Sequence, residues 1–157
     1  MSDTTNDGTL TEVLARLKRL EDIDAIGKLC LQYRQHLDER DFAAYSTLFV
    51  EDGVWIGNLG SATGPAEIEA LLERTLERHT TPERHLHLVA NPVIEVDGDT
   101  GTAQTTWVYL TRDFRDNPVL SLIGHYEDKL VRTDAGWRFQ RREAYLDFPY
   151  EEQDFRE

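Results

Sequence analysis

Two histidines, His85 and His87, alternate with Leu86 and Leu88 in a segment whose apolar period is two. Side chains two residues apart on a β-strand point to the same face of the sheet, so both imidazoles are predicted to share one face. Because histidine gains and loses a proton near neutral pH, either ring is suited to act as a general base. The alternative interpretation is a half-exposed strand face that simply carries polar side chains.

A histidine base needs a carboxylate that orients its ring. Asp38, at the end of the apolar face of a long N-terminal helix, is the candidate, and its alternative is a solvated acid in the charged stretch 38–41. Two histidines without a third ligand of suitable spacing are weak evidence for a metal. The chain also lacks CxxC, HExxH, a phosphate-binding loop and paired dinucleotide-binding glycines. We therefore expect neither a metal nor a cofactor.

Composition limits the partners. The 157 residues fit one domain, and 30 acidic against 17 basic side chains give a net charge of −13. Such a surface repels phosphate groups, so we expect neither a nucleic acid nor a membrane as partner. The expected partner is a small hydrophobic molecule. The single cysteine and an N-terminus without a signal-peptide pattern suit a cytoplasmic protein.

The first half of the chain has helical apolar periodicity. It predicts a long amphipathic helix from Leu10 to Leu37, with a possible break near Glu21. Asp41 is a good N-cap for a second helix over 42–49, a short strand follows at 54–56, and a third helix starts at Pro65.

From residue 84 the apolar period changes to two. Four strands are predicted, at 84–96 with a bulge or edge position at Pro92, and at 102–114, 119–132 and 137–148. Helices followed by an antiparallel meander indicate an α+β domain whose helices lie on one face of a curved sheet. We expect a disordered segment at 1–9, one domain over 10–148, and a loose acidic tail at 149–157.

Several motifs then resemble a known family. They are Leu20-Glu-Asp-Ile-Asp-Ala-Ile, Tyr33-x4-Asp38, Asp41-x7-Phe49-x2-Asp52-Gly53, Arg84-x2-His87-x3-Asn91-Pro92, Gly124-x-Tyr126-x-Asp128 and Gly136-Trp-Arg-Phe. Together they resemble the SnoaL-like (polyketide cyclase-like) family of the nuclear transport factor 2-like superfamily. Within it, the chain is most similar to the branch with scytalone dehydratase, bile-acid 7α-dehydratase and hexachlorocyclohexane dehydrochlorinase. The resemblance implies an α+β cone with a mainly apolar cavity inside the curved sheet.

The resemblance also implies roles. His87, four residues before Asn91, matches the family's general base, Asp38 matches its orienting carboxylate, and Tyr33 matches a hydrogen-bond donor. The implied activity is a cofactor-independent lyase or isomerase that carries out an elimination on a hydrophobic cyclic substrate. An arginine from the last two strands is implied as well; we assign Arg141, although Arg132 and Arg142 stay open. The expected substrate pocket contains Trp55, His85, Trp107, Tyr109, His125 and Arg141, and the alternative for each aromatic residue is ordinary core packing.

Two other functions remain open at this point. The same cavity could serve a non-catalytic module that binds a small ligand, and small structural subunits of ring-hydroxylating dioxygenases share this fold. A cavity with a close contact between Asp38 and His87 favours the enzyme, whereas a filled interior favours the subunit. A homodimer or homotrimer is the expected assembly.

Overall fold

The computed structural model describes residues 4–76 and 85–148, with side chains from residue 8 onward. These ranges contain α1 (Thr4–Glu39), α2 (Phe42–Ser46), β1 (Phe49–Gly57), β2 (Gly60–Thr63), α3 (Pro65–Leu76), β3 (His85–Asp97), β4 (Thr100–Arg112), β5 (Pro118–Thr133) and β6 (Gly136–Phe148). The tail expected at 149–157 lies outside the described residues. Within the described ranges, no helix combines the length and apolar content needed to cross a bilayer.

The strands form one open sheet in the order β2-β1-β6-β5-β4-β3. The predicted meander of β3 to β6 is confirmed, since these strands pair antiparallel in sequence order. β1 joins the other side of β6 in parallel, and the short β2, which the sequence analysis did not predict, pairs with β1. The helices pack on this sheet, so the predicted α+β class is confirmed.

α1 differs from its prediction at two points. It begins at Thr4, inside the segment for which we expected disorder, and it continues through Glu21 without a break. Its first apolar side chains do not reach the core, because Leu10 and Leu20 are 57% and 64% exposed. Contact with the sheet starts at Arg19, which donates a hydrogen bond of 3.3 Å to the carbonyl of Val96. One turn later the buried carboxylate of Asp22 accepts hydrogen bonds of 2.6 and 2.7 Å from Arg132.

α2 is capped as predicted, because the side chain of Asp41 accepts a hydrogen bond of 3.0 Å from the backbone N–H of Ala44. The helix ends at Ser46, however, and not at residue 49. Phe49 already belongs to β1, where it pairs with Phe139 of β6. Pairing across the sheet therefore overrides the helical pattern in this short segment.

β6 contains a β-bulge at Gln140. Two consecutive residues of β5 pair with Phe139 and Arg141, so one residue of β6 is left over between them. The bulge moves the inward-facing positions by one residue, and Arg142 is buried while Arg141 lies on the outer face, where its Nε donates to Glu143 at 2.6 Å. The assignment of Arg141 to the pocket is therefore wrong.

The Arg142 guanidinium is fully buried, and its Nε and Nη2 each lie 2.6 Å from an oxygen of Asp128. The rings of Tyr33, Tyr126 and Phe139 surround it, with their centroids 3.9, 4.3 and 4.1 Å from the guanidinium carbon. A buried charge is tolerated only when it is paired and hydrogen-bonded. This ion pair and its aromatic shell therefore tie α1 to β5 and β6.

We predict that Asp128→Ala lowers the free energy of unfolding by about 3–5 kcal/mol, because it leaves the Arg142 charge buried without a counter-ion. Urea denaturation measures the change. The control is Arg141→Ala, which removes the half-exposed arginine next to Arg142 in β6. It is expected to change the free energy of unfolding by about 1 kcal/mol or less. Equal stability of the two variants would contradict the importance of the buried pair.

Candidate active site

A cavity of about 240 Å³ lies between the helices and the inner face of the sheet. Its lining is mainly apolar and aromatic and consists of Tyr33, Leu37, Arg40, Trp55, Asn58, Leu59, Leu72, Leu76, His85, His87, Trp107, Tyr109, Leu122, Tyr126 and Ala144. Dry protein cavities of about 150 Å³ hold benzene. The cavity therefore has room for a molecule somewhat larger than a single six-membered ring.

Asp38 and His87 are in direct contact at the wall of this cavity. Nδ1 of His87 lies 2.6 Å from Oδ1 of Asp38, and the backbone N–H of His87 donates to both carboxylate oxygens at 3.1 and 3.2 Å. The last turn of α1 brings Asp38 to the start of β3, where His87 faces inward. The contact predicted between these two side chains is present.

The pair is held away from solvent, with side-chain exposures of 11% for Asp38 and 15% for His87. Burial alone would raise the pKa of Asp38, but the hydrogen bonds and charge of His87, together with the Arg34 guanidinium 3.5 Å away, outweigh burial. The pKa of Asp38 therefore lies below its ordinary value. The carboxylate stays charged at neutral pH and is a strong acceptor for the ring.

This contact decides which ring nitrogen can react. A charged carboxylate only accepts hydrogen bonds, so Nδ1 of His87 carries the proton in the neutral ring. The lone pair then resides on Nε2, the nitrogen that Asp38 does not engage. A neutral imidazole with an oriented Nε2 on a cavity wall is the arrangement required of a general base.

Tyr33 contributes a neutral hydroxyl to the same cavity. Its oxygen accepts a hydrogen bond of 2.9 Å from Nε1 of Trp55. Burial raises the pKa of Tyr33 above its usual value, although the Arg142 charge lowers it in part. The hydroxyl therefore remains protonated and can act as a hydrogen-bond donor.

Of the pocket residues predicted from the sequence, Trp55, His85, Trp107 and Tyr109 line the cavity together with Tyr33 and His87. The ring centroid of His85 lies 6.3 Å from that of His87 and 5.8 Å from that of Tyr109. Sequence reasoning missed the contributions of Arg40, Leu122 and Tyr126. The apolar alternation of Leu122, Tyr126 and Leu130 on β5 was the signal that could have found the last two.

His125 does not line the cavity, so its assignment to the pocket is wrong. It lies between Gly124 and Tyr126, which face inward, and alternation along β5 turns its ring to the outer face of the sheet. There its Nδ1 lies 2.9 Å from Asp147 and its ring stacks on Tyr145 at 4.8 Å. His125 thus forms a second histidine–aspartate pair outside the cavity.

The arrangement of ionisable side chains bears on metal binding. Within residues 4–76 and 85–148, no three His, Cys, Asp or Glu side chains are grouped as metal ligands would be. Asp38, the acid beside His87, instead contacts the ring Nδ1 and the backbone N–H of His87.

Comparisons with known proteins fit this geometry. The model of the SnoaL-like domain family matches residues 18–143. An NTF2-like protein with a cystatin-like fold from Novosphingobium aromaticivorans is 31% identical, with a TM-score of 0.82 over 90% of this chain and 92% of that one. No curated protein matches the chain by sequence.

Two further solved structures extend the comparison. ActVI-ORFA from Streptomyces coelicolor is 25% identical, with a TM-score of 0.71 over 80% of this chain and 95% of that one. The hexachlorocyclohexane dehydrochlorinase LinA-type3 from Novosphingobium barchaimii is 20% identical, with a TM-score of 0.72 over 85% of this chain and 91% of that one, and it shares the fold. The family match spans the cavity and the elements that build it, and the chain therefore belongs to the SnoaL-like family of NTF2-like α+β cone proteins.

Proposed function

We propose that this protein is a cofactor-independent lyase or isomerase that acts on a hydrophobic cyclic small molecule. The observation that carries the proposal is the contact between Asp38 and His87, 2.6 Å long, at the wall of an apolar and aromatic cavity. An imidazole with one nitrogen fixed by a carboxylate and the other available is suited to remove a proton from a bound molecule. The SnoaL-like family and the fold shared with a dehydrochlorinase support this assignment.

The proposed reaction is an elimination. Nε2 of His87 takes a proton from a carbon of the substrate, and the electron pair of that C–H bond forms a double bond to the neighbouring carbon. The leaving group departs from that neighbouring carbon with its bonding pair. Asp38 stabilises the imidazolium that forms, and the hydroxyl of Tyr33 donates a hydrogen bond to the developing negative charge. An isomerase would return the proton to a different carbon of the same molecule.

Removing the base tests the proposal. A panel of hydroxylated and halogenated cyclic and bicyclic compounds is screened for elimination by halide release and by the absorbance of the new double bond. On a compound that reacts, His87→Ala is expected to lower kcat/KM by about 10²–10⁴-fold, because general-base catalysis is lost. Deuterium on the carbon that loses its proton is expected to slow the wild-type reaction.

His125→Ala is the matched control, since it removes a histidine that also contacts an aspartate but lies on the outer face of the sheet. Its kcat/KM is expected to equal that of the wild type. If His87→Ala keeps full activity, His87 is not the base. If compounds saturate the cavity and none is converted, the non-catalytic binding module is the correct function.

Asp38→Asn tests the orienting carboxylate. The variant is expected to fold but to lose most activity, because an amide cannot supply the counter-charge of the imidazolium. The pKa of Asp38 is lowered in the folded protein, so the stabilisation from its charge is complete above its ordinary value of 3.8 and is lost as the pH falls through the lower folded-state value. The stability difference between wild type and Asp38→Asn should therefore be largest near neutral pH and shrink below pH 3.8.

Urea unfolding at a series of pH values measures this difference. Asp24→Asn is the control, since Asp24 is an exposed acid of the same helix that pairs with exposed Lys28, and its difference from wild type should stay near zero throughout. A difference for Asp38→Asn that does not change with pH would show that its charge contributes nothing to the contact with His87.

A further inference from the structure

The N-terminal half of α1 carries an apolar stripe that the described residues of its own chain leave uncovered. The five side chains of this N-terminal stripe have exposures between 49% and 64%, and they are Leu10, Val13, Leu14, Leu17 and Leu20. A single exposed leucine is ordinary, but a contiguous apolar patch marks an interaction site. The match to the SnoaL-like domain begins at residue 18, so most of the stripe lies before the part of the chain that the family fold accounts for.

The N-terminal stripe faces away from the sheet of its own chain. Successive residues of an α-helix are rotated by about 100°, so Leu17 and Ile26, which are nine residues apart, lie about 180° apart around α1. Ile26 is fully buried beside Gly101 of β4. The stripe is therefore on the opposite side of the helix from the core, and the sheet of the same chain cannot cover it.

The spacing of the stripe is that of a coiled coil. Intervals of three, four and three residues separate four of its members, Leu10, Val13, Leu17 and Leu20. These intervals place them at the a and d positions of two successive heptads, where side chains of one helix insert between those of another. The second half of α1 packs on the sheet and holds the helix in its folded form, so pairing does not carry the cost of helix nucleation.

Charges beside the stripe determine the direction in which two such helices pair. In this register Arg16 takes a g position and Glu21 the e position of the next heptad, on opposite flanks of the stripe. They lie about 140° apart around the helix, so they cannot contact each other within one chain. In a parallel pair Arg16 of each copy lies beside Glu21 of the other, whereas antiparallel packing of the same stripe brings the two Arg16 side chains together. Charge complementarity therefore favours the parallel pair.

We propose that the N-terminal stripe is a dimer interface, in which the α1 helices of two copies of this chain form a short parallel coiled coil. Because each stripe faces away from its own sheet, the two domains lie on the outer sides of the helix pair. Two heptads are about 21 Å long, which places the interface among the smaller ones that hold proteins together. The expected dissociation constant is therefore in the micromolar range.

Molar mass measured by light scattering over a concentration series tests the interface. The wild type is expected to reach twice the mass of Leu17→Glu, because a charge at an a position opposes pairing. Leu88→Glu is the matched control, since Leu88 lies on the outer face of β3 with the same exposure of 49% as Leu17. Its mass should equal that of the wild type, and circular dichroism should show the same folded structure for both variants.

Disulfide cross-linking and charge reversal test the direction of the pair. With oxidised glutathione, Leu17→Cys is expected to form a covalent dimer, because residue 17 of one copy faces residue 17 of the other in a parallel pair. Ala15→Cys, on the opposite side of α1, should not, and the native Cys30 is buried. Arg16→Glu is expected to weaken the dimer, and Glu21→Arg in the same chain to restore it.

Three results would overturn the proposal. The first is a wild type that stays monomeric throughout the concentration series. The second is an assembly whose mass Leu88→Glu reduces and Leu17→Glu does not. The third is binding of the wild type, but not of Leu17→Glu, to vesicles that contain phosphatidylserine while the mass in solution remains that of one chain, since the stripe would then be a membrane-binding surface.

Discussion

The buried ion pair between Arg142 and Asp128 is the interaction on which the site depends. Its guanidinium has no contact with solvent, and two of the rings that enclose it, those of Tyr33 and Tyr126, also line the cavity. A charge in this position requires its counter-ion and its aromatic shell to stay in place. The ion pair therefore fixes the positions of two rings of the inner cavity wall.

This arrangement separates two electrostatic tasks. Arg142 pairs with Asp128 within the core, and the Asp38 carboxylate pairs with His87 at the cavity wall. Between them lie aromatic rings that exclude water, and hydrogen bonds are stronger in such surroundings than in solvent. The same exclusion raises the pKa of the neighbouring Cys30 thiol, which burial makes a poor nucleophile despite the nearby arginine.

Much of the fold and part of the site could be predicted from local pattern. The period-two alternation of β3 and β4 placed His85, His87, Trp107 and Tyr109 on one face, and all four line the cavity. The partnership of Asp38 with His87 joins residues 49 positions apart, and it came from resemblance to a family because spacing cannot reveal it. Arg141 and Arg142 could not be distinguished, since two adjacent arginines fit either face and a bulge at Gln140 decides which one is inside. The helical period of α1 likewise does not show where packing begins, and its first leucines are exposed.

The strand order has a consequence for how the chain reaches this structure during synthesis. Of the strands in the described ranges, β6 comes last along the chain, yet it lies between β1 and β5 in the middle of the sheet. β1 emerges about eighty residues earlier and must wait for β6 before its parallel edge is paired. Such non-local pairing slows folding, because a long loop must close before any contact compensates its entropy. The wall of the cavity is complete only when β6, which contributes Ala144 to the lining, has taken its place in the sheet.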